Sequence, residues 1–334
     1  MGIRTVQVKP TARTKGRAPN PYEMESDSDG DGPKDGRGDS VDPFGVDNDH
    51  DFVNPLVQKV DWHSRNIHKH VTFEPDKWFE GAHGTATYWV CFSPRGKYMA
   101  SVGHDKTAVL WKLKSMNTKR EYARYEGHKE ICTCCVFSPD EKYLLVSSGI
   151  DLKIWNTAEG LLRHSIRAHD HDITGVDWKT GGEHFISVGQ NAEMHVWNVK
   201  RLLSKGKVSG TEGREMLHGA GRHTDDIYKV RYSHNGRFFI TCSKDTLVKI
   251  WSASTNKWLR DYAGHTKAVL GVSWSASDQV FASCSQDKTV RIWAPSDSIP
   301  LHVLDGHDSV VYSVAFCPVI AQSLTPPSLY LSLL

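Results

Sequence analysis

Several things are missing from this 334-residue chain. No apolar run approaches the ~18 residues that a membrane-spanning helix requires, so none is expected and no membrane contact is foreseen. The opening stretch, MGIRTVQVKPTARTKGR, has no apolar segment and cannot act as a secretory signal. Cysteine is sparse, and its count of seven is odd. With no signal ahead of them, these thiols argue against a disulfide framework and for a reducing compartment, cytoplasmic and/or nuclear. Charge of one sign is also lacking: a net +2 argues against a chain built throughout to coat nucleic acid. Phosphate loop, nucleophile elbow and metal-ligand spacing are all absent, so no enzyme activity, cofactor or metal is expected. Cys132, Cys134 and Cys135 come nearest to a metal set. On a regular strand, however, the first two face one side and the third the other, which predicts buried packing thiols.

What is present divides unevenly. Residues 1–68 are expected to form a disordered tail, basic and then acidic. Residues 1–17 carry Arg4, Lys9, Arg13, Lys15 and Arg17 and no acid, whereas residues 22–51 set eleven acids against Lys34 and Arg37. Such composition cannot bury enough apolar surface to offset chain entropy. Asp27 to Gly32 imitates the start of a calcium loop, but the twelfth position is Gly38, not the bidentate Glu. Ser26 and Ser28 each have an acid three places on, a pattern that suits an acid-directed kinase.

From residue 69 to 318 the chain repeats. The stretch Gly264 to Trp293 shows the unit: three alternating runs, Val269 to Trp274, Val280 to Ser285 and Thr289 to Trp293, separated by polar turns. Period two with such punctuation predicts antiparallel strands, and the run before Gly264 adds a fourth. Units run from His83 to Trp111, His128 to Trp155, His169 to Trp197, His223 to Trp251 and His265 to Trp293. A sixth opens at His307 and stops near Pro318. The one long His-to-His step, 54 residues against 41 to 45 elsewhere, comes from Leu202 to Gly221, expected to be a surface loop.

Tandem units of ~40–45 residues, each opening on Gly-His or similar and closing on Trp, resemble the WD40 family. The resemblance implies an all-β propeller of five complete repeats and a partial sixth. The family's final Asp is replaced by Lys112, Asn156, Asn198, Ser252 and Ala294. Residues 319–334 lack both the turn acid and the Trp, so an irregular or truncated end and an incompletely closed ring are expected. In the family the ring closes when the first outer strand, here around Trp78 to Glu80, completes the last blade.

Within a unit the His, a hydroxyl, the turn Asp and the Trp can form one hydrogen-bonded chain. The sets are His83, Ser101, Asp105 and Trp111; His223, Thr241, Asp245 and Trp251; His265, Ser283, Asp287 and Trp293. His, Ser and Asp also make a hydrolase triad, but a constellation repeated in every unit is architectural. The third unit has His169, Ser187 and Trp197 with Asn191 in the acid slot, which predicts a less rigid blade. The second places Val146 in the hydroxyl slot, which predicts the weakest complete blade.

The resemblance also implies a partner surface. It comprises positions three and five after the His, and the position before the turn acid. Here these include Tyr88, His104, Asp226, Tyr228, Lys244, Leu270, Gln286 and Tyr312. Tyrosines and basic groups at matching slots suit protein or peptide partners. The expected function is therefore a non-enzymatic scaffold for protein–protein interaction, within a multiprotein complex. Two alternatives stand beside it. A ubiquitin-ligase adaptor would carry Trp-Asp-x-Arg, which Trp111-Lys112-Leu113-Lys114 and Trp197-Asn198-Val199-Lys200 lack. An RNA- or ribosome-assembly factor would use the basic tail and the Lys200 to Arg214 insertion.

Overall fold

Runs of five or six alternating residues make strands too short to hide both faces alone, and the chain forms them in sets of four. A computed structural model describes residues 83–113, 123–204, 214–215, 222–316 and 331–332. The expected tail with Ser26 and Ser28, and the run Trp78 to Glu80, lie outside these residues. The first blade comprises Thr87–Phe92, Tyr98–Gly103, Ala108–Lys112 and Ala123–Tyr125; the second Cys132–Phe137, Tyr143–Ser148, Asp151–Asn156 and Leu162–Arg167. The third comprises Ile173–Trp178, His184–Gly189, Met194–Asn198 and Arg214–Glu215. The fourth comprises Ile227–Tyr232, Phe238–Ser243, Val248–Ser252 and Trp258–Tyr262; the fifth Val269–Trp274, Phe281–Ser285, Val290–Trp293 and Pro300–Leu304. Of a sixth, Ala315–Phe316 pairs with Leu331–Ser332. Every pairing is antiparallel and sequential, and the first strand of each blade packs beside the first strand of the next. Among the described residues no strand pairing joins the first blade to the sixth.

The core lies between blades, not within them. Ala100, Val102, Ala108 and Leu110 of the first blade meet Cys132, Cys135, Phe137, Leu144 and Val146 of the second. Ile186, Val188 and Val196 of the third meet Ile227, Val230 and Tyr232 of the fourth. Second strands are therefore buried on both faces, as in Tyr98–Gly103 and Phe238–Ser243. The rings of Trp197, Trp251, Trp293, Phe185, Phe239 and Phe281 are among the largest fully buried side chains.

One irregularity recurs. In each complete blade the register of the first strand slips by one residue near its start, between Thr87 and Trp89, Cys132 and Cys134, Ile227 and Lys229, and Val269 and Gly271. In the third blade Ile173 and Gly175 pair with Gly189 and Val188, again leaving one residue over. The extra residue is Tyr88, Thr133, Thr174, Tyr228 or Leu270, always five after the His. Such a bulge reverses the side-chain alternation beyond it. Cys132 and Cys135 consequently share one face, against the first blade, while Cys134 faces the third. This corrects the expectation for a regular strand; all three thiols are buried.

The chain departs from the sequence reading in two further respects. The run before Gly264, Trp258–Tyr262, pairs with Val248–Ser252, so the fourth strand of each sheet belongs to the preceding blade. A tight turn at Ala253–Lys257 favours that antiparallel neighbour. The insertion is also not wholly a surface loop. Val199–Ser204 forms a helix, with the Asn198 side chain accepting from the Arg201 N–H at 3.1 Å. Leu202 on this helix is fully buried in the core between the second and third blades. Arg214–Glu215 then returns as the outer strand of the third blade. Replacing Leu202 with Ala should cost about 2–5 kcal/mol of stability, read from the urea midpoint, whereas a loop residue would cost nearly nothing.

Candidate functional site

Two constellations recur among the blades: a buried relay ahead of the first strand in the first, third, fourth and fifth units, and a set of side chains, termed the collar, beside the bulge five after the His. The relay follows from burial. A His, a hydroxyl and a Trp N–H placed between close-packed blades must satisfy one another, because water cannot reach them. In the fifth unit Trp293 Nε1 donates to Ser283 Oγ at 2.8 Å, Ser283 pairs with His265 Nε2 at 2.8 Å, and His265 Nδ1 meets Asp287 Oδ2 at 2.8 Å. Asp287 also accepts the Thr266 N–H at 3.0 Å, which ties the turn to the loop ahead of the strand. In the fourth unit the corresponding distances are 3.0 Å for Trp251–Thr241, 2.7 Å for Thr241–His223 and 2.7 Å for His223–Asp245. In the first they are 3.3 Å for Trp111–Ser101, 2.9 Å for Ser101–His83 and 2.9 Å for His83–Asp105. One tautomer satisfies every link: Nδ1–H donates to the carboxylate and Nε2 accepts from the hydroxyl. Burial lowers the pKa of His223 and His265 despite their carboxylate partners, which keeps the imidazoles neutral. Burial alone would raise Asp287, but bonds from Thr289 and His265 outweigh it and hold the carboxyl at about 2.

The third unit departs from the expected loss of its acid. His169 Nε2 meets Ser187 Oγ at 2.7 Å and Trp197 Nε1 donates to the same oxygen at 2.9 Å. Asn191 does not take the acid's place. Asn191 and Ala192 both adopt left-handed backbone, each with φ of 56°, and this double turn brings Glu193 to His169 Nδ1 at 3.0 Å. Glu193 also accepts the Asp170 N–H at 3.1 Å. The carboxylate link expected to be missing is thus made two residues later. Sequence spacing hid it because a turn of two left-handed non-glycine residues is uncommon.

The second unit has no such repair. His128 is buried with neither ring nitrogen bonded, and Trp155 Nε1 is likewise unpartnered. Val146 pairs with Lys153 just as Thr241 pairs with Lys249, so its side chain stands where the relay hydroxyl belongs. Burial, with nearby Lys153, pulls the His128 pKa down to about 4.

The collar is built by the bulge. Tyr88 is 51% exposed and Tyr312 71%, while Tyr228 and Leu270 are half-buried. Thr133 and Thr174 differ: their hydroxyls donate to the carbonyls of Ile173 and Ile227 in the next blade. Beside each bulge the backbone repeats a second contact. The N–H before the turn acid reaches the carbonyl three after the His: His104 to Ala86, Gln190 to Asp172, Lys244 to Asp226 and Gln286 to Ala268, at 2.9–3.0 Å. The three collar slots therefore adjoin in each blade. Tyr88 lies beside His104, with ring centroids 6.2 Å apart. Lys244 Nζ pairs with Asp225 Oδ1 at 3.1 Å, and Asp226 Oδ1 accepts the Asn191 N–H of the third blade at 2.9 Å.

Sequence reasoning missed one contact. Trp89, six after its His, has Lys229 Nζ 3.7 Å from its ring centroid and the Arg231 guanidinium 5.4 Å away. This links the first strands of the first and fourth blades. The signal was a bulky aromatic at a slot that elsewhere holds Cys134, Gly175, Gly271 and Ser313.

Two outcomes follow from the second unit. Val146→Thr, nearly isosteric, should supply the missing hydroxyl to His128 and Trp155 and stabilise the protein by about 1 kcal/mol in urea or thermal melts. The acid sensitivity of His128 has a definite sign. Its folded pKa of about 4 lies below the ordinary 6.5, so the unfolded chain binds the extra proton. Stability from this site is present above pH 6.5 and lost as pH falls towards 4, by about 3 kcal/mol. A His128→Leu variant should show a correspondingly shallower loss of stability over that window in melts taken across pH.

Comparison with known proteins bears on the blades. The family model "WD domain, G-beta repeat" matches residues 77–112, 119–156, 160–198, 216–252 and 256–294. Among curated relatives, Periodic tryptophan protein 2 of Saccharomyces cerevisiae is 24% identical over 182 residues, covering 52% of this chain and 18% of that protein. A WD repeat-containing protein WDS homolog of Arabidopsis thaliana is 25% identical over 179 residues, covering 52% of this chain and 32% of its own length. The Transcriptional corepressor LEUNIG_HOMOLOG, also of Arabidopsis thaliana, is 27% identical over 196 residues, covering 49% and 23%. The chain thus spans a third or less of these relatives. With five matches covering more than half its residues, each on a four-stranded blade, the chain belongs to the WD40 repeat family.

Proposed function

We propose that this protein is a non-enzymatic scaffold that holds protein or peptide partners on the collar formed by Tyr88, His104, Asp226, Tyr228, Lys244, Leu270, Gln286 and Tyr312. The observation that carries this reading is the bulge five after each His. It leaves one residue per complete blade outside the regular pairing; in the first blade that residue is the exposed Tyr88, and the exposed Tyr312 holds the same spacing after His307. Rigid aromatic rings beside His104 and Lys244 provide large contact area with little side-chain entropy to lose. The relays support a binding role and not catalysis. Their Ser and Thr oxygens are buried, each already bonded to both a His and a Trp. A relative named as a transcriptional corepressor fits a partner-holding role, and residence in the cytoplasm, the nucleus or both belongs to this reading.

The test is a comparative affinity purification from cells expressing the full chain. A triple variant, Tyr88→Ser, Tyr228→Ser and Tyr312→Ser, should lose at least one partner that the wild type retains in near-equal amount. A Trp258→Ser control, altering an exposed ring on an outer strand away from the collar, should keep it. An unchanged partner set in the triple variant would sink the proposal.

A further inference from the structure

The third blade carries an arrangement that the other relays lack. In the first, fourth and fifth units one imidazole faces one turn carboxylate. In the third, the displaced Glu193 receives two. Its Oε2 lies 3.0 Å from His169 Nδ1, and its Oε1 lies 3.0 Å from His171 Nδ1. A third imidazole, His195, stands with its ring centroid 4.5 Å from that of His169. Single ligand atoms of His169, Glu193 and His195 all fall within 4.8 Å of one another.

We propose that His169, Glu193 and His195 bind a divalent transition metal of the zinc class, with the exposed His171, which bonds Glu193 but stands outside the three-donor cluster, swinging in as the fourth ligand. The sequence supplies these donors as two dyads, His169-x-His171 on the loop ahead of the first strand and Glu193-x-His195 leading into the third strand. Period two on a strand sets Glu193 and His195 on the same face. The double left-handed turn at Asn191 and Ala192 delivers the carboxylate to the loop. Zinc bonds of 2.0–2.2 Å in a tetrahedron place donor atoms roughly 3.3–3.6 Å apart, so the 3.0 Å His169–Glu193 contact would open slightly and the wider separations, up to 4.8 Å, would close around the ion. The ion would take the Nδ1 lone pairs once each ring proton sits on Nε2, where for His169 the Ser187 hydroxyl oxygen can accept it. Imidazole with one carboxylate is the donor mixture that suits zinc over calcium or magnesium. Access is open: Glu193 and His195 line a cavity of about 180 Å³, and His171 is exposed. Ser187, bonded to His169 Nε2 at 2.7 Å, acts as the outer partner that fixes the ring. Arg214 and Arg222 line the same cavity and oppose a cation there, so the carboxylates of Glu193 and Glu215 must supply the balancing charge.

The experiment is calorimetric titration of the untagged, chelator-stripped full chain with zinc chloride, followed by cobalt substitution. One zinc per chain is expected, with a dissociation constant in the micromolar range or tighter. Cobalt should give the intense visible absorption of a four-coordinate site. His195→Ala and Glu193→Gln should each weaken zinc by about tenfold or more. Glu193→Gln keeps an oxygen for the Asp170 N–H, so circular dichroism and melting in chelator should show it folded; if it does not fold, His195→Ala carries the test. No stoichiometric zinc overturns the proposal. So does zinc binding that is unchanged in both variants, which would assign the ion to other donors.

Discussion

Everything in this chain depends on the need of a small four-stranded sheet to be covered on both faces. Tyr98–Gly103 and Phe238–Ser243 are buried at every position, and no single sheet can do that for its own middle strand. Neighbouring blades do it, so stability is shared across interfaces that each repeat in turn. The same constraint marks the first blade. Tyr88, Val90 and Phe92 are 51%, 45% and 66% exposed, whereas the equivalent Val176 and Trp178, or Val272 and Trp274, are buried against the preceding sheet. Among the described residues the first blade has no preceding sheet.

Burying strands so thoroughly forces the polar groups among them to find partners. The relay is the solution, and it works because each unit brings donor and acceptor types in the right order. Where the order fails, the outcomes diverge. Turn geometry rescues the third unit with Glu193, whereas the second leaves His128 and Trp155 with nothing to bond. Burial holds the unpaired His128 ring neutral, since a proton there would be desolvated with no partner.

The bulge connects this packing to function. One extra residue at the start of the first strand of each complete blade reverses the alternation, so from the second to the fifth blade four after the His points into the core and five after does not. Cys132, Ile173, Ile227 and Val269 are accordingly buried. In two blades the freed residue is a Thr used for blade-to-blade bonding; in the first and fourth it is a Tyr. The same backbone device thus joins blades where the residue is Thr and leaves a ring outside the core where it is Tyr228.

Repeat number, strand positions and membership of the first, fourth and fifth relays were legible in the sequence, because period two and fixed spacings of 18 and six residues are local quantities. Val269–Trp274 lies where alternation puts it, and Ser101, Thr241 and Ser283 each meet their His across such a spacing. Tertiary structure decided what depends on backbone exceptions and distant neighbours. The bulge turned Cys135 to the side of Cys132, and two left-handed residues exchanged Asn191 for Glu193. Burial of Leu202 made a helix of what reads as a loop, and the meeting of Trp89 with Lys229 spans three blades. Alternation cannot foresee these features, because each departs from the regular geometry on which alternation rests or joins residues that only packing brings together.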